Sequence, residues 1–324
     1  MQEAIVVRKY GGSEVLKLEK IHISDPKQFE LQIKHTAIGV NYHDVYVRSG
    51  LYKTLKLPGV PGCEASGVVE KVGNSVKGFE VGDRVAYITS EYGAYSSHKN
   101  IREASVIKVP DFINDELVAT NFLRAMTVEM LINRITLVDK SKTILVTAAG
   151  GGVGRLLCQW ANSIGVKVIG SVSSGDKVAE TKSNGCFDTL IANEEKFTEK
   201  ILNLTDGKGV DIVFDSVGAD TFESSMEVLA SCGFLINFGQ SSGMVKPLLM
   251  TTLAQKSLSV SRPILFHYFK SREIYEQMAT SVFKAFESKV INVLEFSPFN
   301  LREASQAHDM LESRKGGGSI YLVP

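Results

Sequence analysis

The chain has 324 residues, with 36 basic residues against 36 acidic ones, 44% hydrophobic and 22% charged. Zero net charge and no basic block leave no field that would draw it onto nucleic acid or an anionic membrane, so small molecules are the expected partners. No apolar run approaches a membrane span, and the apolar run in "MQEAIVVRKYGG", with a charged residue on either side, is too brief for the h-region of a secretory signal, so none is expected. Cys63, Cys158, Cys186 and Cys232 are far apart with no C-x-x-C pair, which fits neither a disulfide framework nor a zinc knuckle and predicts a reducing, cytoplasmic setting. The length exceeds what one hydrophobic core usually holds, so two domains are expected.

Short β-branched runs open the chain: "AIVVRKYG", "ELQIKHTAIGVN", "EASGVVEKVG" and "DRVAYIT", separated by Gly, Pro, Asn and Asp. They predict a barrel-like β domain over residues 1–122. Gly82-Asp83 is the predicted turn that feeds the strand through Tyr87. From about Asn121 the texture changes to apolar runs alternating with helical stretches: "TILVTA", "VKVIGSV", "TLIA", "VDIVFDSVG", "GFLINFGQ" and "SLSVSRP". Strands without polar alternation, each followed by a helix, predict a parallel sheet covered on both faces over residues 123–262. After Arg262-Pro263 a helical pattern runs to near Ile291, and "GGGSIYLVP" ends in a strand. Residues 263–324 are expected to return to the first domain, because the parallel unit already has its strands.

The stretch "TILVTAAGGGVGRLLCQWANSIG" carries the strongest functional signal. Thr143 to Thr147 read as a buried strand. Val153, Leu156, Leu157, Trp160, Ala161 and Ile164 fall on one face of a helix that Gly165 ends. The glycines therefore sit at a strand-to-helix turn, with Ala149-x-Gly151-x-x-Gly154 in the frame of a dinucleotide fingerprint. Gly151 would let backbone approach a pyrophosphate, held by the amides of Gly152 and Val153 and the helix dipole; Gly154 would let the helix pack close to the strand. A plain glycine-rich turn is the alternative.

Further along, Ser173 and Ser174 occupy the place where an NAD binder carries its ribose-binding acid, and Lys177 follows. Two hydroxyls and an ammonium suit a 2′-phosphate, which favours NADPH over NADH. Asp176 is expected to cap the next helix, and Lys177 could be an ordinary surface lysine. Ser216, Gly218, Phe238, Gly239, Ser241 and Ser242 follow apolar strands at the edge where such sheets bind ligands; turn chemistry alone is the other reading.

Taken together, "GVNYHDVYVRSGLY", "PGCEASGVVEKVG", "GFEVGDRVAY", "GAYSS", "AAGGGVG", "FDSVG", "FGQSSG", "SRP" and "ESRKGGGSIYLVP" resemble the quinone oxidoreductase (zeta-crystallin) family, a zinc-free branch of the medium-chain dehydrogenase/reductase superfamily. The resemblance runs along nearly the whole chain. It implies an α/β fold in which a GroES-like β-barrel catalytic domain accompanies a Rossmann doubly wound parallel-sheet domain. It also implies NADPH and a homodimer joined mainly through the nucleotide domains.

The superfamily's zinc enzymes hold metal through a cysteine and a histidine where this chain has Asn41 and Cys63. Cys63, Glu64 and His43 form at best a poor substitute set, because a catalytic zinc needs three converging ligands. Without a Lewis acid, hydride transfer is easiest to quinones or conjugated enones. By resemblance, Asn41, Tyr46 and Tyr52 line the acceptor pocket, and Asn41 also faces cofactor. Tyr46 and Tyr52 could stack on a quinone or relay a proton, or could be ordinary barrel side chains. Thr127 matches the family's carboxamide contact, and Arg262 and Arg314 match positions near the cofactor cleft. Ala192-Asn193 stands where relatives often carry a tyrosine near the adenine. His43 beside Asp44 is a possible relay, against the plainer reading of a barrel histidine. The expected activity is NADPH-dependent quinone reduction; an alkenal or enone reductase and an NADPH-binding protein without turnover are the alternatives.

Overall fold

The computed structural model describes residues 1–192, 194–293, 295–313 and 318–324. Asn193 and Arg314, both named above, lie outside the described residues. The chain begins with β1 (Gln2–Val6), β2 (Lys17–Ile21), β3 (Glu30–Gly39), α1 (Tyr42–Ser49), β4 (Glu64–Val72), β5 (Arg84–Ile88), β6 (His98–Arg102), β7 (Val106–Lys108) and α2 (Asp115–Met130). It continues through β8 (Thr143–Val146), α3 (Gly152–Ser163), β9 (Lys167–Val172), α4 (Val178–Ser183), β10 (Asp188–Ile191), α5 (Phe197–Leu204), β11 (Val210–Asp215), α6 (Phe222–Glu227) and β12 (Leu229–Asn237). The last elements are α7 (Met250–Ala254), β13 (Ser259–Ser261), α8 (Arg272–Glu287), β14 (Phe296–Asn300), α9 (Ala304–Ser313) and β15 (Ser319–Val323). Two compact units result: residues 1–124, 270–283 and 293–324 in the first, residues 125–269 and 284–292 in the second.

In the first unit the main sheet runs β14-β15-β3-β4-β5-β7, with β6 also on β3, and β1 and β2 pair separately. Ile5, Leu31, Ile33, Ile38, Val85, Tyr87, Tyr95 and Leu322 are buried at its centre. The register of β3 against β4 shifts between Gln32 and Ile33 and again between His35 and Ala37. Such irregularities bend and twist a strand. β3 ends at Gly39, where a Cβ would fall 2.1 Å from the Ala119 carbonyl oxygen and 2.5 Å from Glu64 Oε1. Only glycine admits that approach, and it brings the chain into α1 beside the Glu64 carboxylate. Gly50, at φ +83, closes α1 in the left-handed region.

In the second unit the strands are parallel and ordered β10-β9-β8-β11-β12-β13. Counted from β8 this is the 3-2-1-4-5-6 order, which reverses between β8 and β11 and opens a ligand crevice there. Ile144, Leu145 and Val146 of β8 and Ile212, Val213 and Phe214 of β11 are buried, as expected for strands covered on both faces. α3 buries Leu156, Leu157, Trp160 and Ala161. Ile164, counted on the same face from sequence, is exposed, because the helix ends at Ser163 and the chain turns away. α8 likewise stops at Glu287, short of Ile291, where Lys289 adopts φ +58.

Candidate active site

The glycine turn is built for room rather than for unusual dihedrals. Its positive φ belongs to Ala148, at +48, and to none of the glycines from 150 to 154. A Cβ on Gly154 would lie 2.3 Å from the Ala148 carbonyl oxygen, and one on Gly151 would lie 3.0 Å from it. Gly151 precedes α3 in extended conformation, and Gly151 and Gly152 are exposed. The first amides of α3, those of Gly152, Val153 and Gly154, have no partner within the helix and present a positive helix end. An open backbone with unpaired donors fits a pyrophosphate.

Beyond β9, Ser173 is exposed, Ser174 and Lys177 are half-buried, and Lys177 Nζ lies 3.5 Å from Ser173 Oγ. These three therefore gather at one strand end. Asp176 does not cap α4: it lies inside a short 3-10 turn, Gly175–Lys177, that precedes that helix. The Ser174 hydroxyl donates to the Asp176 carboxylate and helps hold it below its usual range. Thr181 Oγ1 bonds the Lys177 carbonyl at 2.7 Å, fixing the backbone from which the ammonium reaches out.

The ends of β11 and β12 are organised by a residue that sequence reasoning passed over. Buried Asp215 accepts from Thr147 Oγ1 at 2.9 Å, Thr221 Oγ1 at 2.7 Å, Val217 N at 2.9 Å and Asn237 Nδ2 at 3.0 Å. The Phe238 amide donates to the Asp215 carbonyl at 2.8 Å, and the Ser241 amide to the Ser216 carbonyl at 3.3 Å. Gly239 packs its Cα against Ser216, where a Cβ would fall 2.5 Å from the carbonyl oxygen. Ser216, Phe238, Gly239 and Ser241 are thus held together around one carboxylate, with Gly218 and Ser242 in the same loops. Ser242 Oγ donates to the Val217 carbonyl at 2.8 Å. Arg262 NH1 donates to the Asn237 carbonyl at 2.9 Å, which ties β13 into the same edge. Thr127 is half-buried on α2. The string "FDSVG" contained Asp215; an acid inside an apolar strand end was the available signal.

In the first unit Asn41 caps α1, and its own amide N–H donates to Asp44 Oδ2 at 2.9 Å. Its side chain is held from both sides: Nδ2 donates to Glu64 Oε1 at 2.5 Å, and Arg124 Nε donates to Oδ1 at 3.3 Å. Glu64 Oε2 also accepts from the Leu123 amide at 2.7 Å. Burial pushes the Glu64 carboxyl up to about 7 and the Asp44 carboxyl up to about 7, although hydrogen bonds pull both back. Cys63 is fully buried with its Sγ 3.9 Å from Asp44 Oδ1, and burial beside the two carboxylates pushes its thiol well up. Tyr95 completes the cluster, donating to Asp44 Oδ2 at 3.2 Å and meeting His308 Nε2 at 2.9 Å. Arg48 joins His308 Nδ1 at 3.2 Å to Glu312 at 2.7 Å. Among the described residues no three His, Cys, Asp or Glu side chains converge as a metal site.

His43 and Asp44, neighbours in sequence, do not work as a pair. Asp44 is engaged by Asn41, Cys63 and Tyr95, whereas His43 Nε2 lies 3.2 Å from the Tyr92 hydroxyl. The His43 ring stacks on Tyr92 with centroids 5.8 Å apart and meets Tyr52 edge-on at 5.7 Å. Tyr52 in turn packs edge-on against Tyr46 at 5.0 Å, and its amide donates to the Tyr46 carbonyl at 2.9 Å. Tyr46 and Tyr52 are thus brought together in one aromatic wall. Tyr92, which sequence reasoning missed, belongs to that wall through contacts no local pattern encodes.

A family model described as alcohol dehydrogenase GroES-like domain matches residues 27–111, and one described as zinc-binding dehydrogenase matches residues 152–284. The chain is 40% identical to a quinone oxidoreductase of Salmonella typhimurium, with all of both chains covered. It is 34% identical to a 2-haloacrylate reductase of a Burkholderia species, over all of this chain and 99% of the other. A crystal structure of Escherichia coli quinone oxidoreductase complexed with NADPH superposes with a TM-score of 0.95 at 39% identity, covering 99% of this chain and 100% of that one.

Proposed function

The chain belongs to the quinone oxidoreductase family of the medium-chain dehydrogenase/reductase superfamily, and we propose that it reduces quinones with NADPH. What carries the acceptor class is the setting of Asn41 and Cys63. The Asn41 amide is locked by Glu64 and Arg124, and the Cys63 thiol is buried against Asp44, so neither is poised as a ligand. Acceptors that need no Lewis acid are then favoured, and quinones are the clearest such class.

NADPH when bound supplies a hydride; the residues supply position and exclusion of water. The amides of Gly152, Val153 and Gly154 would hold the pyrophosphate, with Gly151, whose own N–H donates to the Ala148 carbonyl, leaving room for its approach. Ser173, Ser174 and Lys177 would hold the 2′-phosphate. Ser216, Phe238, Gly239, Ser241 and Arg262 would support the remainder of the dinucleotide, with Thr127 toward the carboxamide. Asn41 Nδ2 gives one N–H to Glu64, and its second would serve an acceptor oxygen. Tyr46 and Tyr52 would present aromatic faces to a planar acceptor.

The test is oxidation of NADPH and of NADH with ortho- and para-quinones, then with enals and 2-haloacrylate. Quinone turnover that prefers NADPH is expected. Turnover of enals or haloacrylate alone would favour the double-bond reductase reading that the Burkholderia relative suggests. Tight NADPH binding without any turnover would favour a non-catalytic role.

A cytoplasmic homodimer completes the proposal. The cysteines are free thiols, which suits a reducing compartment, and no helix among the described residues is long and apolar enough to cross a membrane. Recovery of the protein from the membrane or extracellular fraction would overturn the location. Leu249 and Met250, on the segment leading to the edge strand β13, and Ile264, just after it, are exposed, which suits a second copy.

A further inference from the structure

We propose that Thr54, Tyr92 and His43 form a proton path that delivers the second hydrogen of the reduction to the acceptor oxygen. The inference rests on the quinone reductase reading above and concerns how that site is protonated. Thr54 is exposed, and its Oγ1 lies 2.5 Å from the hydroxyl of Tyr92, a buried residue. That hydroxyl lies 3.2 Å from His43 Nε2, and the half-buried imidazole makes no hydrogen bond at Nδ1 among the described residues. A continuous line of exchangeable protons therefore runs from solvent at Thr54 to one unengaged nitrogen. That nitrogen belongs to a ring already packed edge-on against Tyr52, and through it against Tyr46.

The path is held in place at some conformational cost. Tyr92 sits at φ +55, a left-handed conformation that a bulky side chain rarely adopts. Lys99, half-buried, donates from Nζ to the Tyr92 carbonyl at 2.5 Å and fixes that strained backbone. Strain of this kind persists where the surroundings over-determine it, and it clusters at functional sites. Burial lowers the His43 pKa to about 4, so the imidazole is neutral near pH 7. A neutral imidazole takes a proton at one nitrogen and releases one at the other, and so relays without becoming a stable cation.

The balance closes. Hydride delivery adds two electrons and one hydrogen to the acceptor and leaves an anionic oxygen. His43 Nδ1–H gives that oxygen its proton, Nε2 takes the Tyr92 phenol proton, Tyr92 takes the Thr54 hydroxyl proton, and water replaces the last. When the product leaves, Nδ1 regains a proton from water as Nε2 returns its own toward Thr54. One proton from solvent is consumed per turnover.

The test combines kinetics with a measurement that needs no turnover. Thr54→Val alters an exposed side chain, and Tyr92→Phe keeps the ring while removing the hydroxyl. Each is expected to lower kcat with a quinone by about 10- to 100-fold and, by making protonation the slow step, to raise the solvent deuterium isotope effect on kcat. Binding of NADPH should stay unchanged. Independently, the protein alone should bind 4-nitrophenolate, a stand-in for the reduced oxyanion, roughly tenfold more tightly than His43→Phe does, a difference of one hydrogen bond to a charged group. Wild-type kcat and isotope effect in both path variants, or equal phenolate affinity in His43→Phe, would overturn the path. Absence of quinone turnover in the wild-type protein would instead sink the quinone reading, while phenolate binding would still read His43.

Discussion

A methyl group on Gly154 would meet two backbone atoms, the Ala148 carbonyl oxygen at 2.3 Å and Ala149 Cα at 2.9 Å, and neither can turn aside. A methyl on Gly150 would meet Thr181 Oγ1 at 3.5 Å and Lys177 Cβ at 3.8 Å, which is ordinary contact. Two glycines of one turn therefore answer the same substitution differently. Gly154→Ala is expected to cost about 1–3 kcal/mol in urea unfolding, as overpacking does, and to weaken NADPH binding in a fluorescence titration. Gly150→Ala should stay within about 0.5 kcal/mol of wild type. Equal losses at both would mean that the helix start yields where the geometry says it is fixed. At this scale the glycine frame was legible because it is local. Asp215 and Asp44 were not, because their partners are scattered: Asp215 reaches Thr147, 68 residues away, and Asp44 reaches Tyr95, 51 residues away.

Elements were legible wherever a local apolar pattern governed them. The strands of the second unit read as unbroken apolar runs, and such runs are what a parallel sheet covered on both faces requires. Their ends were less so: Ile164 and the last turn expected of α8 continue the apolar pattern, yet the backbone turns at Lys289 before the pattern stops. The edge strand β13 is short and half-buried, and Leu249 and Met250 on the segment leading to it are 71% and 76% exposed. An open edge flanked by apolar side chains invites a second chain. In the proposed homodimer, Leu249→Asp would place a charge at this edge and should weaken association at least about tenfold, which corresponds to roughly 1.4 kcal/mol. Light scattering across a dilution series reads it. A wild-type protein that is monomeric at micromolar concentration, or a variant that dimerises as well as wild type, would remove β13 as the joint.

Five groups of the first unit, four of them buried and His43 half-buried, set an unusual dependence of stability on pH. Asp44 and Glu64 are raised to about 7, whereas His35 and His43 are lowered to about 4 and His308 to about 3, burial being the leading cause in every case. Between about pH 4.5 and 6.5 the unfolded chain has ionised carboxylates and protonated imidazoles, three protons on these groups, by ordinary side-chain values. The native state has protonated carboxyls and neutral imidazoles, two protons. The unfolded state therefore binds one more, and stability falls as pH drops through that window, by about 1.4 kcal/mol per unit. Above about 6.5 the unfolded imidazoles lose their protons faster than the native carboxyls lose theirs, so the native state comes to bind slightly more and stability declines gently as pH rises through the native carboxyl values. Above the native carboxyl values these five groups contribute no further slope. Unfolding midpoints in urea should therefore peak near pH 6.5, and Asp44→Asn should flatten the fall on the alkaline side. A midpoint that climbs steadily from pH 5 to pH 8 would mean that Asp44 and Glu64 are ionised well below neutrality. The hydrogen bonds from Asn41, Tyr95 and Leu123 would then outweigh burial.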